Sequence, residues 1–372
     1  MMDALRLSLD AIDRAVNWPN DDGRARLVRA KCRGLMRGYD ARWQSVAYEA
    51  VAVETEFSLP VVNPATGRRS RTFQQAGKYD GIIRHDGRLY LLEHKTTSHD
   101  VSDPNAAYWR QLAIDAQVSA YMLAHWQLGD RLDGTLYDVI RKPGIAPKKL
   151  TKAERALAVA EGVYCRERIS DFDRQRLATE EIESPEMYEH RLAADCIERG
   201  ERYFQRRHVP RLDNEVVEYA DELWDVGQAI ADARRKGSHY RNSAACILYG
   251  SPCEFLGICS GHDSPDSDRW KRKPSIHAEL DSAAASDLDT LTYSRIRCFQ
   301  TCRRKHYYQY EMGIERVDEE EREALFFGTL FHVALAAWWS FFLEVKHGNS
   351  SHNSAIAVES VGAGASQATV AG

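Results

Sequence analysis

No excess of basic residues marks this chain. Its 372 residues carry 50 Lys and Arg against 55 Asp and Glu, a formal net charge of -5 at pH 7, and its pI is near 6.2. A protein that coats a polyanion with its whole surface is not built this way. No apolar run approaches the roughly 20 residues of a membrane span, so a soluble protein is expected. No apolar signal sequence precedes the chain, which argues against disulfides among its eight cysteines. No internal repeat is visible. What is present is 44% hydrophobic residues, enough to bury one large domain with helical additions.

The densest chemistry lies between Gly77 and Tyr121. The text GKYDGIIRHDGRLYLLEHKTT begins with a run containing Asp80 and turns at His85-Asp86-Gly87. It returns through the apolar strand Leu89 to Leu92, which delivers Glu93 and Lys95. Residues two apart on a strand share a face, so Glu93 and Lys95 lie on one side of a sheet, where Asp80 on the neighbouring strand can meet them. Two carboxylates converging from adjacent strands form a hard oxygen site suited to Mg2+ or Mn2+. An ammonium beside them can orient or help deprotonate a water and offset charge on a phosphate. Alone, a Glu-x-Lys is a common strand end and Asp80 a turn residue. The next element separates the readings. From Asn105 to His125 the pattern is helical, without Pro or Gly, and Gln117 and Tyr121, four apart, share one face.

This order of strands, acids, lysine and helix resembles the PD-(D/E)XK nuclease superfamily, specifically its RecB-type and AddB-type branch. The resemblance implies an α/β fold: a restriction-endonuclease-like core with a mixed central sheet flanked by helices, here with helical additions and a cysteine cluster. It makes Asp80 the metal-binding aspartate, Glu93 and Lys95 the (D/E)-x-K motif, and Gln117 with Tyr121 the QxxxY motif that positions substrate. His94 should turn its ring to the opposite face, leaving its backbone carbonyl as the metal contact. Glu54 reads either as an additional metal-site carboxylate or as part of a solvated strand face. A net acidic nuclease is workable because phosphate contacts can be confined to one channel and bound metal supplies positive charge locally.

Three cysteines, Cys246, Cys253 and Cys259, lie close together in the turn-like text RNSAACILYGSPCEFLGICSG. Three thiols point to a metal or iron-sulfur site one ligand short, or to buried structural cysteines. The RecB-type branch often carries a four-iron four-sulfur cluster with one cysteine ahead of the core. Here Cys32, inside a helical stretch, looks like a packing residue. The better fourth ligand lies downstream, because residues 291–339 resemble the beginning of a RecB-type domain. Counting from Ser294, Cys302 takes the place of the first cluster cysteine, although Arg303 stands for the usual proline and His306 for the usual aromatic. His332, in GTLFHVAL, takes the place of a histidine metal ligand. Zinc is the alternative occupant of the thiols. Arg303, Arg304 and Lys305, with Tyr307, Tyr308 and Tyr310, read either as a nucleic-acid contact or as helix packing.

The expected organisation is a nuclease core with the three-cysteine segment at 1–262, an unstructured linker at 263–290, a permuted opening segment at 291–340 and a disordered tail at 341–372. The linker spans about 30 Å as a flexible chain, so the permuted segment can complete its own core, or exchange with another copy in a segment-swapped dimer. Expected elements are helices to Trp43, a strand over 51–57, a turn at Asn63 to Gly67, the Asp80 and Glu93 strands, the 105–125 helix, a strand over 134–143, and charged helices from Thr151 to Lys236. The function implied is metal-dependent hydrolysis of DNA, by exonuclease action on single-stranded ends, in recombination, repair or phage DNA metabolism. A helicase or recombination protein is the implied partner, and the cytoplasm of a bacterial or phage-infected cell the implied location. The alternative is a catalytically incomplete DNA-binding or assembly module.

Overall fold

The computed structural model describes residues 3–15, 23–45, 48–248, 250–278, 280, 286–317 and 323–348. Helices α1 (Ala4–Ala15) and α2 (Gly23–Trp43) precede three antiparallel strands, β1 (Glu49–Val62), β2 (Arg69–His85) and β3 (Arg88–Thr97). The β2–β3 hairpin closes on Asp86 and Gly87, with φ of 49° and 77°. Two left-handed residues give the turn whose twist matches that of the strands, and this pair of residue types tolerates it.

The helix expected over 105–125 is broken. It forms α3 (Ala107–Leu112) and α4 (Ala116–Leu128), because the Asp115 side chain accepts the Gln117 N–H at 3.0 Å and caps α4. An N-cap aspartate stops a helix from running through it. Strand β4 (Gly134–Arg141) then runs parallel to β3. The charged region holds α5 (Lys152–Glu161), β5 (Val163–Tyr164), β6 (Glu167–Arg168), α6 (Asp171–Arg176), α7 (Pro185–Glu198), α8 (Gly200–Tyr203), β7 (Phe204–Val209) and α9 (Asp213–Lys236). Strand β7, hidden between helices, pairs antiparallel with β4 and gives the sheet order β1-β2-β3-β4-β7.

The cysteine-bearing unit comprises β8 (Ile247–Leu248), β9 (Ser251–Pro252) and α10 (Leu256–Ser260). Residues 263–290, expected as an unstructured linker, carry β10 (Trp270–Arg272), which pairs with β12 (Ile314–Arg316). Trp270 is the anchor: its ring stacks on Phe255 at 5.2 Å and its Nε1 donates to Asp263 at 3.0 Å. After it, β11 (Asp289–Leu291) runs parallel to β2, followed by α11 (Tyr293–Thr301), α12 (Arg303–His306) and a π-helical turn over Tyr307–Glu311. Arg295, 1% exposed, binds Asp289 at 2.5 Å and Glu311 at 3.2 Å, and Arg234 of α9 reaches the same two acids at 2.6 Å. These ion pairs fasten the C-terminal segment to the first part of the chain.

The last helix, α13 (Glu323–Gly348), includes a 19-residue stretch, Leu325–Leu343, of mean hydropathy 1.6. This corrects the expectation that no apolar run approaches a membrane span; by length and composition this one does. Its apolarity serves the core. Phe326, Phe327, Leu330, Phe331, Leu335, Trp338 and Trp339 are buried among α1, α2, α7 and one face of the sheet. Burying each is worth about 1.5–3 kcal/mol, which together rivals the roughly 5–15 kcal/mol net stability of a domain. The fold therefore requires this helix. Of the expected tail, 341–348 continue α13 and 349–372 lie outside the described residues.

The opposite face of the sheet packs on α3, α4, α9 and α11. Alternation along β3 divides the two faces: Leu91 belongs to the α4 side and Leu92 to the α13 side. Glu93 and Lys95 follow Leu91, and His94 follows Leu92. On the α13 side, His94 Nδ1 lies 3.2 Å from Asp138, which also binds Arg206 at 3.2 Å and accepts from Tyr39 Oη at 2.5 Å. The Arg206 guanidinium is enclosed by the rings of Tyr39, Trp43, Tyr48, Trp338 and Trp339.

Candidate nuclease site

The β2–β3 ladder runs through Gly81↔Leu92. Beyond it, the Asp80 carboxylate accepts the His94 N–H at 2.7 Å, so a side chain takes over where the backbone pairing stops. The other Asp80 oxygen lies 3.7 Å from His332 Nδ1. Residues 252 positions apart in the chain are thereby brought together. Burial acts to raise the Asp80 pKa, but the neighbouring His332 and His94, whose N–H it accepts, outweigh it and hold the carboxyl below its usual range.

Glu93 is 3% exposed. Burial pushes its pKa up to about 7, against the lowering pull of Lys95 and with Asp80 adding repulsion. Lys95 Nζ sits at 2.8 Å from Glu93, 3.2 Å from Asp115 and 2.8 Å from Gln117 Oε1. Burial works against its charge, yet Glu93 and Asp115 raise its pKa well above that of a free lysine. Lys95 is thus held as a cation. Gln117 Nε2 donates to Tyr121 Oη at 2.9 Å, and Tyr121 Oη donates to the Lys78 carbonyl at 2.9 Å. Gln117 and Tyr121 therefore brace Lys95 and the strand carrying Asp80, and they also line the cavity. Gly77 lets the strand pass close to these rings, since a Cβ would stand 3.0 Å from the Phe57 ring and 3.1 Å from Tyr121.

Asp80, Gln117, Tyr121 and His332 line a cavity of ≈ 230 Å³ together with Glu54, Lys78, Leu280 and Tyr293. Asp115 was not singled out in the sequence. Its signal was an N-cap residue ahead of an apolar run, obscured by reading one continuous helix. The His94 ring lies on the far face, as expected. Arg141 pairs with Asp100 at 3.1 Å.

Cys246, Cys253, Cys259 and Cys302 line one cavity of ≈ 540 Å³, and Cys298 joins them. All are free thiols. Cys32 is buried in the core. The nearby tyrosines mostly pack: Tyr308 is 6% exposed against Phe255, and Tyr307 stacks on His239. Lys305 pairs with Glu254 at 3.2 Å, and Arg303 lies over Tyr240 and Phe299.

Among the described residues, no three His, Cys, Asp or Glu side chains stand close enough to hold a single metal ion as they are placed. The donor chemistry at Asp80, Glu93 and His332 nevertheless fits one: two carboxylates and an imidazole are a donor set that suits Mn2+.

The mixed sheet with helices on both faces, and acids and a lysine gathered where two strands part, define an enzyme class whose members cleave phosphodiester bonds. The chain belongs to the PD-(D/E)XK nuclease superfamily, which it matches over residues 3–260 and 290–367. That superfamily acts on nucleic acid and typically uses a divalent metal. No curated protein and no solved structure matches the chain.

Proposed function

We propose that this protein is a metal-dependent deoxyribonuclease of the RecB type, acting as an exonuclease on single-stranded DNA ends in recombination, repair or phage DNA metabolism. The observation that carries the reading is the contact set of Lys95, a cation held between Glu93, Asp115 and Gln117 beside Asp80 and His332. Asp80, Glu93 and His332 are the residues to hold Mg2+ or Mn2+, which when bound supplies Lewis acidity to the phosphate. Lys95 stays protonated, so its role is to orient the attacking water and offset charge on the phosphoryl oxygens. Gln117 keeps the ammonium aimed, and Tyr121 holds the Asp80 strand at its carbonyl.

Cys246, Cys253, Cys259 and Cys302 form the set for a four-iron four-sulfur cluster. What supports this is that the four thiols line one cavity; zinc is the alternative occupant. The cluster's role is to clamp the two parts of the chain. A permuted order of segments belongs to this reading, with His332 of the C-terminal segment standing 3.7 Å from Asp80. The protein works in the cytoplasm.

The test is Mn2+-dependent degradation of end-labelled single-stranded DNA by the wild type, Lys95→Ala and His332→Ala. Loss in both variants is expected. Wild-type protein that binds DNA with salt-dependent affinity but does not cleave would sink the hydrolase and leave a binding module. Iron and labile sulfide in anaerobically purified protein are expected; zinc in their place would overturn the cluster.

A further inference from the structure

Glu54 lies in β1 between the pairs Val53↔Gly81 and Thr55↔Tyr79, opposite Asp80, with a φ of 48°. For a residue with a Cβ this left-handed conformation costs on the order of 1–3 kcal/mol. The Glu54 carboxylate meets Lys78 Nζ at 2.6 Å, with side chains 30% and 38% exposed. An ion pair this open to solvent contributes about 0–1 kcal/mol, less than the strain that delivers it. Stability does not account for the arrangement.

Position does. Glu54 and Lys78 line two cavities that meet at His332. One, of ≈ 230 Å³, continues past Phe57, Gln75 and Tyr293. The other, of ≈ 650 Å³, continues past Thr96, Lys142 and Thr329. A strand passing Asp80 and His332 from one cavity to the other must cross the Glu54–Lys78 pair. The Lys78 backbone is fixed there, because its carbonyl accepts from Tyr121.

We propose that Lys78 is a further substrate-contacting residue. It binds a backbone phosphate of the strand crossing between the two cavities, and Glu54 holds the ammonium at that crossing until the phosphate replaces the carboxylate. This rests on the nuclease reading above and adds to it a contact outside the superfamily motif residues.

The experiment measures binding of a short single-stranded oligonucleotide by anisotropy across a salt series without metal, and KM and kcat with Mn2+. Lys78→Ala is expected to make the slope of log K against log salt shallower by about 0.7, one phosphate contact on a single strand. KM should rise roughly tenfold or more, as for a lost charge-assisted hydrogen bond, with kcat falling less, and Lys78→Arg should restore both. Glu54→Gln is expected to bind DNA more tightly at unchanged slope, because the competing carboxylate is gone. A wild-type slope and KM in Lys78→Ala would overturn the proposal while leaving the nuclease reading standing. So would Glu54→Gln with weakened Mn2+ binding and unchanged DNA affinity, which would make Glu54 a metal ligand. Wild-type protein that binds without cleaving would sink only the hydrolase, and protein that does neither would sink both.

Discussion

Asp115 performs two tasks with one carboxylate: it caps α4 through the Gln117 N–H and sits 3.2 Å from Lys95. The tasks separate by substitution. Asp115→Ser keeps a capping oxygen and removes the charge, so cleavage should fall while the melting temperature changes little. Asp115→Ala should lose cleavage and also about 1 kcal/mol of stability, read by thermal melts run beside the nuclease assay. A wild-type cleavage rate in Asp115→Ser would show that Glu93 and Gln117 suffice to hold the lysine. His306 offers a pH prediction. Burial, with the Arg295 and Arg234 charges, depresses its pKa from 6.5 to about 3. The unfolded chain binds that proton first, so stability present above pH 6.5 is lost as pH falls toward 3. His306→Phe keeps the ring packing against Phe299 and Tyr310. Its denaturant midpoint should fall less over that interval than the wild type's.

At the scale of elements, the hairpin and the strand face were legible because their signals are local. Asp86-Gly87 specifies its turn, and the apolar run before Glu93 fixes which side chains face α4. The break before α4 was not read, since a helix-compatible stretch masks a cap that only the Lys95 contact makes conspicuous. Strand β7 was also missed: FQRRHV has little alternation, and it is a strand because β4 offers it an open edge. The 263–290 segment was misread because charge and proline outweigh the single Trp270 that anchors it. None of the sequence signals showed the Arg206 enclosure, whose rings come from two helices, α2 and α13, and the loop before β1. Asp138→Asn would leave Arg206 and His94 buried beside a neutral amide. Breaking such a buried pair typically costs about 3–5 kcal/mol. Denaturant unfolding should show a loss of that size, and a loss below about 1 kcal/mol would mean that the aromatic rings alone stabilise the guanidinium.

For the whole molecule, the central question is whether α13 completes its own chain or another's. Within one chain, His332 reaches Asp80 and α13 fills the core between α1 and the sheet. Self-completion predicts that mixing Lys95→Ala with His332→Ala protein restores no cleavage, and that activity per molecule is independent of concentration. Restored activity on co-refolding the two variants would reveal exchanged segments. Leu330→Ala should cost about 2–5 kcal/mol despite lying far along the chain from the Asp80 and Glu93 strands, because it is fully enclosed by the first helices.

The late position of α13 also sets a timetable. A chain emerging during synthesis exposes Asp80, Glu93 and Lys95 early, but the helix bearing His332 comes more than 200 residues later. Until then the core on one face of the sheet lacks the α13 side chains and the acids lack their imidazole. On the proposed reading, an unfinished or prematurely terminated copy is an unarmed enzyme, and cutting power arrives only with the final helix.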